Sequence, residues 1–122
     1  MKKIQFGTDL VLENEKNNGY KILKYYLLET PVGFGYSKLK SYGIGVLRID
    51  RFPGKPDMSE CKQIEGVFFD VEEALSYIAT IKREKVVPTD LSFVLERIIS
   101  ERLREKQDQR IVKMNWLIKK KV

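Results

Sequence analysis

Residues 20–30 read YKILKYYLLET. Both alternating sets are apolar: Ile22, Tyr26 and Leu28 on one, Leu23, Tyr25 and Leu27 on the other. A strand with one face in water alternates apolar with polar residues. This one does not, and we expect a central strand covered on both faces. Upstream, Asn18-Gly19 in NEKNNGY suits the φ > 0 positions of a hairpin turn and separates the central strand from DLVLE. Downstream, SYGIGVLRID (41–50) and CKQIEGVFFD (61–70) read as further strands, and RFPGKPDMSE between them carries the Pro-Gly and charges of a loop. Gly43 and Gly45 share one face of the third strand, where a helix or another backbone can approach closely. Four strands in succession predict an antiparallel meander.

At Asp70 the period changes. DVEEALSYIATIKREK places Val71, Ala74, Leu75, Ile78 and Ile81 on one helical stripe, with Asp70 as cap and Glu73 placed to complete a capping box. After Pro88, Thr89 or Asp90 is placed to cap LSFVLERIISERL, whose Leu91, Val94, Leu95, Ile98, Ile99 and Leu103 repeat at helical spacing. Strands first and helices afterwards give an α+β fold, with two helices on one face of the sheet. We expect a single domain over residues 1–103 and a basic, amphipathic helical extension over 104–122.

The chain of 122 residues, 43% hydrophobic and 33% charged, is large enough for one unstapled core. Its longest apolar runs, VFF and WLI, are far from a membrane span. MKKIQFGTDLVLENEK lacks the apolar core and cleavage site of a secretory signal, and Cys61 is the sole cysteine. Both features lead us to expect a cytoplasmic protein. The net charge of +6 is localised: residues 1–109 hold 18 Lys/Arg against 17 Asp/Glu, whereas 110–122 hold five cations and no acid. Such asymmetry marks an interaction tail.

YYLLE, then YGIGV, then VVPTDLSFVLERI, in that order and spacing, are similar to a family of short, functionally uncharacterised bacterial proteins found mainly in Firmicutes. The resemblance covers roughly residues 20–103. It implies a compact fold in a bacterial, cytoplasmic setting and carries no reaction. The tail beyond residue 104 lies outside it.

ETPVGFGYSK (29–38) superficially suggests a phosphate loop, but the GxxxxGK[ST] spacing and the following helix are missing. Gly33 and Gly35 therefore read as loop glycines. The chain has no histidine, which removes the commonest general base and metal ligand. Asp50, Asp57, Asp70, Glu72 and Glu73 could in principle hold Mg²⁺ or transfer protons, yet their positions suit strand ends, a loop and a helix start. Cys61 without histidine reads as a small bystander, and the strand tyrosines read as core. We expect a non-enzymatic protein with no catalytic residue, cofactor or metal, while carboxylate, Tyr or Lys chemistry stays open.

REKQDQR (104–110) has no apolar side chain, and IVKMNWLIKKKV is suddenly rich in them. No Gly or Pro occurs from Thr89 to Val122, which favours one continuous helix. On that helix Ile111, Met114, Ile118 and Val122 lie nearly half a turn from the Leu91–Leu103 stripe, so they face away from the core. A break near Lys106 to Gln109, with the tail folding back, is the alternative. The displaced stripe predicts docking of a protein partner or a second copy through Ile111, Met114, Trp116 and Ile118. The alternative function is nucleic-acid binding through Arg110, Lys113, Lys119, Lys120 and Lys121. Because Val112 and Trp116 fall off the stripe, we expect no stable membrane association.

Overall fold

The computed structural model describes residues 1–14, 16, 18–33 and 39–120, the side chains of 110–120 lying outside the described set. Its elements are β1 (Lys2–Gln5), β2 (Leu10–Asn14), β3 (Gly19–Pro31), β4 (Lys40–Arg51), β5 (Met58–Phe68), α1 (Val71–Arg83), a 3-10 turn at Pro88–Asp90, and α2 (Leu91–Lys120). All strand pairings are antiparallel, in the order β1-β3-β4-β5, with β2 also on β3. The fold is α+β, with five strands where the sequence predicted four. The added strand, β1, borders the second half of β3 from Lys2↔Glu29 to Gln5↔Tyr26, while β2 borders its first half.

Opposed residues in an antiparallel ladder share a face. Leu23, Tyr25 and Leu27 of β3 therefore line up with Ile44 and Val46 of β4, and this face carries both helices. Ala74, Tyr77, Ile78 and Ile81 of α1 and Leu91, Leu95 and Ile98 of α2 complete the buried cluster. The Tyr25 hydroxyl crosses this core and donates to the Val86 carbonyl at 2.9 Å, pinning the central strand to the α1–α2 connection. Burial pushes the Tyr25 phenol up to about 12, so it remains a donor at neutral pH.

The second face of β3 is sealed differently from the expectation. Ile22 and Leu28 point away from both helices, yet are only 8% and 0% exposed. On this face the Leu28, Tyr26 and Gln63 side chains converge over Gly45. A Cβ placed on Gly45 would lie 3.4 Å from Leu28 Cδ2 and 3.6 Å from both Gln63 Cγ and Tyr26 Cβ, which measures how closely they converge. At Gly43 the approaching group is the β5 backbone at Ile64 and Glu65, where the β4–β5 register shifts, and not a helix.

The turns refine three local expectations. Asn18 takes the positive φ, 53°, of the β2–β3 turn, while Gly19 already pairs with Asn14 as the first residue of β3. Asp70 caps α1, but its carboxylate accepts from the Glu72 N–H at 3.3 Å and not from that of Glu73, as a capping box requires. α2 is entered through the 3-10 turn that contains Thr89 and Asp90, and Val87 precedes that turn without a side-chain cap. Gly33 has φ 105°, in keeping with a loop glycine, and residues 34–38, including Gly35, lie outside the described residues.

Candidate interaction surfaces

The two helices form an antiparallel hairpin because the short Glu84–Val87 connection returns the chain at once. Arg97 pairs with Glu84 at 2.8 Å near the turn of this hairpin. Farther along α2, the Arg102 guanidinium lies 3.9 Å from the Tyr77 ring centroid, and Tyr77 stacks on Phe68 at 4.8 Å. Burial raises the Tyr77 pKa, with Arg102 opposing the rise. A strand, α1 and α2 are thus joined in one stack.

Beyond Arg102 the helix leaves the body. Every residue from Leu103 to Gln109 is exposed, and Leu103, placed by its spacing on the core stripe, is 55% exposed. Tyr77 sits opposite Arg102, and the six α1 residues before it, from Val71 to Ser76, leave Leu103 exposed. The helix nevertheless runs unbroken through Lys106 to Gln109 and on to Lys120, about 45 Å over 30 residues at 1.5 Å per residue. Ile111, Met114, Trp116 and Ile118 fall within it, as do Arg110, Lys113, Lys119 and Lys120, all with side chains outside the described set. Lys121 lies outside the described residues altogether.

A second feature lies at the far end of the sheet, past the helices. Leu12, Tyr20, Lys21, Arg48, Asp50 and Phe52 line an open concavity of about 620 Å³. Two of its charged residues are already engaged: Arg48 holds Asp50 at 3.4 Å as well as Glu60 at 2.7 Å. The Arg48 Nε–H is buried without a hydrogen bond, since Asp50 sits close enough for an ion pair but outside bonding geometry. Sequence reading missed Arg48, whose alternation in β4 only becomes informative once Glu60 is known to face it.

The carboxylates considered from the sequence are spread over separate elements. Asp50 pairs with Arg48, Asp57 pairs with Arg51 at 2.9 Å, and Asp70 caps α1 with Glu72 and Glu73 in its first turn. No group of three or more Asp, Glu or Cys able to hold a metal ion occurs among the described residues. Cys61 is exposed on β5. No helix among the described residues is long and apolar enough to cross a membrane.

An antiparallel sheet backed on one face by a helical hairpin, with a second helix that runs on past its last buried residues, is an α+β architecture. The chain belongs to a family of unknown function (DUF6514), whose model matches residues 1–101. That match takes in β1 and β2 as well as the segments noted in the sequence, and it stops one residue short of Arg102. No curated protein and no solved structure matches the chain.

Proposed function

We propose that this is a non-enzymatic interaction protein whose docking element is the C-terminal third of α2. The observation that carries the proposal is the exit of α2 from the body: seven consecutive exposed residues, Leu103 to Gln109, precede an apolar segment on the same helix. In an α-helix, Ile111, Met114 and Ile118 fall on one face. A stripe of that kind, on a helix whose preceding seven residues are exposed, is what a protein partner or a second copy buries. We place the protein in the bacterial cytoplasm, on the resemblance of residues 20–103 and on its single, exposed thiol. Changing Ile111, Met114 and Ile118 to Ser tests the reading. Loss of oligomer mass in light scattering, or of specific partner capture, with an unchanged melting temperature supports it. Unchanged mass and an unchanged partner set contradict it.

The concentration of charge favours one second reading, a nucleic-acid contact through Arg110, Lys113, Lys119, Lys120 and Lys121. Phosphate contacts release counterions, so affinity would fall with salt at a slope near −0.9 per contact on duplex DNA. Titration of mixed DNA and RNA across salt concentrations separates the readings. Binding that is weak and insensitive to salt removes the second.

A further inference from the structure

β5 is the last strand of the sheet, so the outward N–H and C=O groups of residues 58–64 have no strand partner among the described residues. An open edge of this length is a template for another strand. The stretch reads Met58-Ser59-Glu60-Cys61-Lys62-Gln63-Ile64, and it complements itself about Cys61. Apolar Met58 mirrors apolar Ile64, polar Ser59 mirrors polar Gln63, and Glu60 mirrors Lys62.

We propose that two copies of this chain pair antiparallel along their β5 edges, about a two-fold axis at Cys61, and join their sheets into one. In that register each Glu60 stands opposite the partner's Lys62, and each Met58 opposite the partner's Ile64. Moving the axis to residue 60 or 62 sets Glu60 against Glu60 or Lys62 against Lys62, so charge selects the register. The shift in β4–β5 pairing after Ile64, with Gly66 at φ 68°, ends the regular edge and limits the contact to this stretch.

The edge also offers a place for the exposed apolar residue that the pairing brings in. Beside β5, Ile64 and Val67 face Leu95 and Ile99 of α2 across a groove of about 480 Å³, with Lys62 and Glu96 also on its lining. Met58 is 67% exposed in the single chain and lies on the helix-bearing face, opposite Asp50. Opposed to Ile64, the partner's Met58 enters this groove. An unrelated strand would satisfy the backbone edge equally well, but the mirrored charges and the Met58–groove match select a second copy.

Cys61 supplies the test, because a disulfide between single cysteines must join two chains. Opposed Cα atoms in an antiparallel ladder are about 4.5–5.5 Å apart, inside the range a disulfide spans. The full-length chain is treated with diamide, which accepts the two electrons and two protons released as the S–S bond forms, and covalent dimer is followed over time. We expect cross-linking much faster than in the urea-unfolded chain, slowed about tenfold by Lys62→Glu and restored in the Glu60→Lys/Lys62→Glu double variant. Because Glu60 also holds Arg48, circular-dichroism melts confirm that each variant is folded. Retention of the fast rate in the Ile111, Met114 and Ile118 to Ser variant supports the edge contact independently of the tail. Cross-linking no faster than in the unfolded chain, equal rates in single and double variants, or loss of the rate in the tail variant overturns it.

Discussion

The Arg102 guanidinium sits 3.9 Å from the centre of the Tyr77 ring, and no α2 residue after it is buried as far as Gln109. This contact is where the helix changes from part of the core to something held outside it. Tyr77 is itself fixed by stacking on Phe68, so β5 and α1 together determine where α2 departs.

Arg102→Ala therefore loosens the last anchor of α2. We expect a loss of about 1 kcal/mol in urea unfolding, from the cation–π contact and the packing of the aliphatic stem. Arg102→Lys should retain part of it. A variant as stable as the parent would show that the anchor lies elsewhere.

The Tyr25–Val86 bond makes a prediction with a pH signature. At pH 7, Tyr25→Phe leaves the Val86 carbonyl without its buried donor and costs about 1 kcal/mol. The Tyr25 pKa is raised by burial to about 12, from 10.0. Its stabilising contribution is complete below pH 10 and is lost as pH rises toward 12, because the unfolded chain ionises first. On the order of 2 kcal/mol should disappear from the parent across that window and not from the variant. Denaturation curves of the two proteins should converge and then cross; a constant difference from pH 8 to pH 12 would contradict a buried, protonated Tyr25.

Gly43 and Gly45 should respond oppositely to the same substitution. A methyl at Gly43 meets β5 backbone that side-chain rotation cannot move, so Gly43→Ala should cost about 3 kcal/mol or prevent soluble expression. Gly45→Ala places its methyl 3.4 Å from Leu28 Cδ2 and should stay within about 1 kcal/mol of the parent by thermal melting. Equal effects would show that the strand shift beside Gly43 is absent in solution.

Much of this architecture was legible where period and burial coincide. β3 announced itself as central because both of its faces are apolar, and α1 because its stripe is uninterrupted. β1 was not legible: KKIQ has one apolar residue, all four positions are exposed, and only the length of β3 creates a place for it. On the second face of β3, Ile22 and Leu28 are buried although both helices lie on the other side, and the convergence of Leu28, Tyr26 and Gln63 over Gly45 is not visible in the period. Leu103 continues the α2 stripe by spacing yet is 55% exposed, because burial depends on what the stripe meets and not on its period. For the candidate surfaces, the charge asymmetry and the apolar tail segment were readable directly. The mirrored Met58–Ile64 stretch acquired meaning only once β5 was placed at the sheet edge.

Docking of α2 through its C-terminal third can be read by photo-crosslinking in the producing cell. A photoreactive residue is placed at position 114 in one full-length chain and at position 107, in the exposed stretch after Arg102, in another. We expect a discrete adduct from position 114, at the mass of a dimer or of one partner complex, that disappears when Ile111 and Ile118 are changed to Ser, and no comparable adduct from position 107. Adducts of equal yield from both positions, or none from position 114, would contradict it.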